Sequence, residues 1–243
     1  MASPSALFFR SFNSAHGHLV EVTPHLFFGA AKLPQVSLDL LNSRPALYFL
    51  ECVKCVATID AGGKLETAVA GDNGKLYVNG EEKKEILRID TATNQIDTHW
   101  AIPTCTSPHG LALDPETHRL FSSCANNVLV VADADTGATV ATLPIGARSD
   151  AAAFDPKRKL IFSSNGDGTL SVIEERDANT FVSVASVATK VGARTMAVDP
   201  ESGRIYLVAA DTTINPSADP RDFRHRFVVT PGSAKLLFLD PTP

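Results

Sequence analysis

The sequence predicts an all-β fold of the β-propeller class, made of four-stranded antiparallel blades, about four of which are recognisable. Three observations support this prediction: a repeated segment, its near-constant spacing, and the absence of a helical hydrophobic period in the repeats. The segments 111–123, 152–164 and 196–208 align readily, and 67–79 is a weaker copy with a shorter turn. An aromatic residue recurs in them at intervals of 44, 41 and 44 residues, at Tyr77, Phe121, Phe162 and Tyr206.

Each repeat contains four strand signals in a fixed order. A run of small apolar residues leads to a turn, and a second strand that contains the aromatic residue follows. Third strands are predicted at 86–90, 128–133 and 170–175. Fourth strands are predicted at 95–102, 139–145 and 181–187. Four antiparallel strands in a repeat of about 40–45 residues are typical of a propeller blade.

The repeats divide the chain into two parts. Residues 1–52 contain no recognisable blade and form an unassigned N-terminal segment, whereas residues 53–243 form the β-propeller repeat domain. The last repeat ends after its third strand. The segment 53–60 (VKCVATID) resembles the fourth strands, so we expect it to supply the missing outer strand of the last blade. Such closure would leave no free sheet edge.

Composition excludes several classes of protein. The chain has 243 residues, 44% of them hydrophobic, and a formal net charge of −5. This is too apolar for a disordered chain, and the apolar runs are too short for a membrane span. A chain with a negative net charge lacks the basic surface that broad nucleic-acid binding requires, so no nucleic-acid partner is expected. The first twenty residues show no secretion-signal pattern.

The blade motifs resemble those of the YVTN-repeat (YncE-like) β-propeller family of bacteria. The resemblance covers about 55–240 and is carried by GKLYVN, DTATNQI, RLFSSC and SSNGDGTL. It implies a propeller that is usually seven-bladed, a periplasmic or secreted location, and a binding or scaffold role without assigned chemistry. With about four repeats, this chain would form either a closed four-bladed monomer or a homo-oligomer that completes the ring across chains.

Ionisable residues recur where the innermost strand of each blade begins. The residue five positions before each turn is Glu66, His109, Asp150 or Arg194, and Arg148 lies beside them. Because inner strands line the central channel, we expect these side chains to converge at its mouth. They would bind a ligand there, or they would form a structural polar ring that only holds the blades in register.

Three functional hypotheses follow from this arrangement. The first is a binding or scaffold protein with a small-molecule or protein partner, a ligand site at the channel mouth and no cofactor. The alternative is a lactonase- or esterase-like hydrolase that uses the channel acids, the histidine and a divalent metal such as calcium or zinc. A third hypothesis is an adaptor that binds proteins through its blade loops and has no small ligand.

The four cysteines give two separate predictions. Cys52 and Cys55 have the C-x-x-C spacing of metal and redox sites, but without a second such pair they are expected to be ordinary thiols. Cys105 and Cys124 flank a predicted hairpin that brings Cys124 close to residue 108, so a disulfide between them is plausible. If it forms, the protein works in an oxidising compartment; otherwise both remain thiols.

Overall fold

A computed structural model of the protein describes residues 55–217, 219 and 227–241. The N-terminal segment predicted at 1–52, which includes Cys52, lies outside these residues. The described part contains seventeen β-strands and no helix. The prediction of an all-β propeller of four-stranded antiparallel blades is confirmed.

Four sheets follow one another along the chain, and we call them blades 1 to 4. Blade 1 consists of β1 (Leu65–Ala70), β2 (Lys75–Gly80), β3 (Glu85–Asp90) and β4 (Gln95–Ala101). Blade 2 consists of β5 (Pro108–Asp114), β6 (Arg119–Cys124), β7 (Val128–Asp133) and β8 (Thr139–Pro144). Blade 3 consists of β9 (Ser149–Asp155), β10 (Leu160–Asn165), β11 (Thr169–Asp177) and β12 (Thr180–Ala188). Each is a simple antiparallel meander.

Blade 4 is smaller. It consists of β13 (Thr195–Val198), β14 (Ile205–Ala209) and β17 (Lys235–Leu239), with β14 in the centre. The strands β15 (Thr212–Ile214) and β16 (Phe227–Val229) form a separate two-stranded hairpin between β14 and β17. The third and fourth strands predicted for blades 1 to 3 all match observed strands to within two residues.

The Asp-Pro turns begin with a side chain that caps the backbone. The carboxylates of Asp114, Asp155 and Asp199 each accept a hydrogen bond from the backbone N–H two residues later, at 2.9–3.0 Å. Such a bond mimics a backbone turn and explains why aspartate recurs at this repeat position.

The core lies between blades, where each blade presents its recurring aromatic residue to the next. Tyr77 is buried with Leu120 and Val130 of blade 2. Phe121 is buried with residues of blade 3, and Phe162 is buried with residues of blade 4. The same repeat position therefore fills each of the three junctions between blades.

The inner strands β1, β5, β9 and β13 pack side by side in that order. The closest approach is between β5 and β9. A Cβ atom on Gly110 would lie 2.2 Å from the backbone nitrogen of Ala152, so only glycine fits at this position. In the part of the chain that the structure describes, no comparable packing joins β13 to β1, and the blades form an open arc.

The predicted closure by residues 53–60 is wrong for the described part of that segment. Residues 55–61 form no strand, and β17 has no further strand beside it in the described structure. Ile59 and Ala61 pack instead on the apolar face of blade 1, against Leu87 and Ile89. The segment resembles the fourth strands because it shares their apolar pattern. Its apolar residues pack on the nearest apolar face along the chain, which belongs to blade 1.

A disulfide joins Cys105 to Cys124, with the two Cα atoms 5.3 Å apart. It ties the connection between blades 1 and 2 to the end of β6, and both residues are fully buried. The register explains the pairing because Cys124 lies opposite Pro108. Cys55 is a free, exposed thiol. Within the described residues, no helix is long and apolar enough to cross a membrane.

Candidate functional site at the inner-strand ends

A β-bulge at the start of the inner strands of blades 1 to 3 contains three of the predicted site residues, whereas β13, which follows Arg194, pairs regularly with β14. In β1 the pairing with β2 gains one residue between Leu65 and Ala68, and this interval contains Glu66. The same irregularity occurs around His109 in β5 and around Asp150 in β9. A bulge turns a side chain out of the regular alternation of a strand and is common next to binding sites.

The loops that lead into these strands contain a second shared distortion. Two residues before His109, Asp150 and Arg194, the backbone is left-handed, with φ values of 48° at Ser107, 60° at Arg148 and 84° at Gly192. Ser107 and Arg148 are uncommon residues for this conformation, which costs a non-glycine residue on the order of 1 kcal/mol. The distortion is therefore maintained by the surrounding structure.

Hydrogen bonds between blades fix the beginnings of the inner strands. Asn79 at the end of β2 donates to the carbonyls of His109 and Gly110 at 3.1 and 3.0 Å. Ser149 donates across the next junction to the carbonyl of Cys124 at 3.0 Å, and Ser164 donates across the third to the carbonyl of Arg194. Each donor is buried, so the positions of His109, Asp150 and Arg194 depend on the neighbouring blade.

The first group in the site is a cluster around Glu66 and His109. One ligand-type atom from each of Glu66, Glu81 and His109 lies within 4.8 Å of the others. The Lys64 ammonium is 2.7 Å from Glu66 and contacts Glu81. Ser107 Oγ donates to Glu81 at 3.0 Å, and His109 Nε2 lies 3.6 Å from the same carboxylate oxygen.

The two carboxylates of this cluster have pKa values that shift in opposite directions. Desolvation, together with the neighbouring Glu81, raises the pKa of Glu66 above its usual range. Burial also opposes ionisation of Glu81, but hydrogen bonds from Lys64, Glu66 and Ser107 outweigh it and lower the pKa of Glu81. Glu81 is therefore the carboxylate that stays ionised, while Glu66 takes up a proton more readily.

The second group is the pair formed by Asp150 and Arg194. Arg194 Nη1 lies 3.4 Å from Asp150 Oδ1, and both side chains remain more than a third exposed. Arg148 has no ion pair with Asp150 in the described structure and donates to the backbone carbonyl of Gly166 at 2.8 Å. The two groups meet at β9, because His109 Nδ1 lies 2.8 Å from the carbonyl oxygen of Ser149, next to Asp150.

The structure thus brings four of the five predicted site residues into two adjacent groups, while the side chain of the fifth, Arg148, is bonded to a loop carbonyl. The alignment missed Glu81 and Lys64, which lie at the end of β2 and just before β1. Both follow from strand pairing, since Gly80 lies opposite Leu65. It also missed Ser149 at the start of β9, and Asn79 and Ser164, although a polar residue near the end of the second strands of blades 1 to 3 was a visible signal for the last two.

A separate groove of about 460 Å³ lies between the outer strands of blades 2 and 3. Its lining includes Gly146, Asp167, Thr169 and residues 183–186 of β12. None of the predicted site residues lines it. The groove is open to solvent and combines few charged groups, so the inner-strand ends remain the denser polar site.

No protein-family model matches the chain, and no curated protein matches it. Solved structures do match. A chain of hydrazine synthase from Kuenenia stuttgartiensis is similar with a TM-score of 0.56 and 16% identity, over 74% of this chain and 49% of that one. A chain of a mitotic checkpoint complex is similar with a TM-score of 0.56 and 16% identity, over 63% and 48%.

These two structures are β-propeller-type folds. The chain spans about half the length of each of them. At this identity the likeness shows the fold alone.

Proposed function

We propose that the protein is a β-propeller binding or scaffold protein that holds a small polar ligand at the inner-strand ends. The observation that carries the proposal is the repeated bulge, which contains Glu66, His109 and Asp150 at the start of the inner strand in three successive blades. A purely structural polar ring does not need the same backbone distortion in successive blades. The resemblance to YVTN-repeat propellers supports the same role and a periplasmic or secreted location.

The charges of the site indicate which ligands fit. Lys64, Arg148 and Arg194 balance Glu66, Glu81 and Asp150, so the site has no net charge with histidine neutral. Arg194 and Asp150 are more exposed than Lys64, Glu66 and Glu81, and they offer a cation and an anion side by side. A zwitterionic or neutral polar molecule matches this pattern better than a polyanion does.

The test is a thermal-shift screen of amino acids, small sugars and hydroxy acids, followed by calorimetric titration of any compound that stabilises the protein. Arg194→Ala and Asp150→Ala should each weaken binding at least tenfold, because a charge-assisted hydrogen bond contributes about 1.5–3 kcal/mol. Both variants should unfold like the wild type, since surface substitutions usually change stability by no more than about 0.5 kcal/mol.

Arg176→Ala is the matched control, because Arg176 pairs with Glu174 on the exposed surface of β11. It should leave binding unchanged. If Arg194→Ala and Asp150→Ala lose stability but keep binding, the ring is structural and the ligand site is elsewhere.

One observation favours the hydrolase alternative. The set Glu66, Glu81 and His109 offers two carboxylates and an imidazole within reach of a single ion. Oxygen and nitrogen ligands of this kind suit zinc, and calcium takes the carboxylates. However, the Lys64 ammonium already contacts both carboxylates, and a metal ion would have to displace it. This competition makes the alternative the weaker of the two.

Titration of chelator-treated protein with zinc or calcium chloride tests the alternative directly. The hydrolase alternative requires micromolar metal binding that Glu81→Gln and His109→Ala both abolish. It also requires metal-dependent hydrolysis of a simple lactone or ester. Lys64→Ala should then tighten metal binding. An absence of binding by both ions rules this chemistry out at the cluster.

A further inference from the structure

Blade 4 presents an exposed apolar face that has no partner in the described structure. One side of the sheet β13-β14-β17 packs on blade 3 through Met196, Leu207 and Leu237. The opposite side, which we call the free face, carries Tyr206, Val208, Leu236 and Phe238. The register places Tyr206 opposite Phe238 and Val208 opposite Leu236, so the four side chains form one patch.

The exposure of this patch is unusual within the molecule. Val208, Leu236 and Phe238 are 50%, 60% and 59% exposed. Six of the ten exposed large hydrophobic side chains identified in the described residues lie in blade 4 or its hairpin: Val208, Ile214, Val228, Val229, Leu236 and Phe238. Contiguous apolar patches on a soluble protein commonly mark interaction sites.

The repeat identifies the free face as the side of a blade that is normally covered. Tyr206 occupies the position of Tyr77, Phe121 and Phe162, each of which is buried against the following blade. In blade 4 the aromatic ring packs edge-to-face on Phe238 of the same sheet, with ring centroids 5.3 Å apart, and no following blade covers it in the described structure. The face is therefore built for burial.

The details of the face do not match another blade of the same kind. Two residues after the aromatic, blades 1 and 3 have Asn79 and Ser164, which donate hydrogen bonds to the next inner strand. Blade 4 has Val208 at this position. A following inner strand would lose that donor, whereas a second apolar face would gain a contact.

The rim of the face is self-complementary. Arg204 and Asp240 form a bidentate ion pair at 2.6 and 2.9 Å, and this pair borders Tyr206 and Phe238. Both residues are substantially exposed. In a twofold contact between identical surfaces, each rim brings a cation and an anion to the other copy, so no like charges need to meet.

We propose that the free face pairs with the same face of a second copy of this chain, giving a twofold dimer through blade 4. The segment 55–61 is already used at blade 1, and the apolar face of blade 1 is buried under it. The free face is thus the exposed apolar sheet face that two copies can share.

Sedimentation equilibrium of the full chain between about 1 and 100 µM tests this proposal. The wild type should approach twice the chain mass of 25.9 kDa. Leu236→Asp and Phe238→Asp should each weaken the dimer at least tenfold, because each places a charge in an apolar contact. Val184→Asp is the control, since Val184 is 48% exposed on β12, away from the free face. It should leave the dimer intact.

Val208→Asn provides a milder variant if the aspartate variants fail to fold, because it restores the residue type of blade 1. It should also weaken the dimer, with an unchanged circular-dichroism spectrum. A wild type that stays monomeric at 100 µM overturns the proposal. Coverage of the free face by residues 1–54 would give this result. A dimer that Leu236→Asp and Val208→Asn leave unchanged overturns it equally.

Discussion

At the scale of single residues, one buried carboxylate stands out between blades 2 and 3. Glu175 is almost fully buried, and only one of its two oxygens has a hydrogen-bond partner, the hydroxyl of Thr117 at 2.6 Å. Asp114 lies beside it and is paired with Lys159 at 3.0 Å. Burial and the neighbouring Asp114 raise the pKa of Glu175 to about 7.

This shift predicts a pH dependence of stability. Between pH 4.5 and 7 the unfolded chain releases the proton of Glu175 while the folded chain keeps it, so the free energy of unfolding should fall as pH rises. The loss should be roughly 3 kcal/mol and complete above pH 7. In Glu175→Gln this loss should disappear, because the amide does not ionise. Urea unfolding at pH 5 and pH 8 measures the difference.

Glu174→Gln is the control for that prediction, because Glu174 pairs with Arg176 on the other side of β11. Its pH dependence should match that of the wild type. Equal slopes for Glu175→Gln and the wild type would contradict the assignment. Asp114, whose pKa is lowered, acts in the opposite direction and only below pH 4.

The disulfide gives a second prediction at this scale. Because Cys105 and Cys124 are fully buried, alkylation must be performed in denaturant to be informative. Without reductant, Cys55 should be labelled and the pair should not. Removing the bridge with Cys105→Ser should cost about 3 kcal/mol, given the sequence separation of 19 residues. Labelling of Cys105 and Cys124 without reductant would show that they are thiols.

At the scale of the strand, the packing of β5 on β9 predicts a strict requirement for glycine. In Gly110→Ala the new methyl group would meet the backbone of Ala151 and Ala152 rather than a movable side chain. The free energy of unfolding should drop by at least about 2 kcal/mol, since overpacking forces the strands apart. Gly63→Ala is the control, because its nearest neighbour is the Glu82 side chain at 3.4 Å, and it should change stability little.

The strands were predictable because their signals are local and repeated. Turn residues and apolar runs placed the third and fourth strands of three blades within two residues of their observed bounds. The face on which residues 53–60 pack was not predictable, because an apolar segment of that kind can pack on any uncovered apolar face. The packing of Ile59 on the apolar face of blade 1 depends on which face is nearest in space, and a strand pattern does not contain that information.

The residues of the candidate site were likewise predictable only in part. Repeat positions identified Glu66, His109, Asp150 and Arg194, because equivalent residues occupy equivalent places in successive blades. Glu81 has no equivalent in that alignment and joins the site through the pairing of Gly80 with Leu65. A residue that enters a site from a neighbouring strand is visible only once strand register is known.

At the scale of the whole molecule, each blade touches only the blades next to it. Blades 2 and 3 have a neighbour on each side, whereas blade 4 packs on blade 3 alone within the described structure. Stability in such an array is close to a sum of nearest-neighbour terms. In the monomer, amide hydrogens of β14 should therefore exchange faster than those of β6 or β10, as native-state hydrogen exchange would measure. Uniform exchange across all four blades would contradict this.

The single tryptophan gives this gradient an optical consequence. Trp100 is stacked on Tyr77 and lies under the guanidinium of Arg88, in the junction between blades 1 and 2. Its emission therefore reports on the end of the array farthest from blade 4. Fluorescence-detected unfolding should occur at a higher denaturant concentration than the loss of the far-ultraviolet signal, which averages over all strands. Unfolding of blade 4 should therefore leave the tryptophan emission unchanged, and only the later unfolding of blades 1 and 2 should change it.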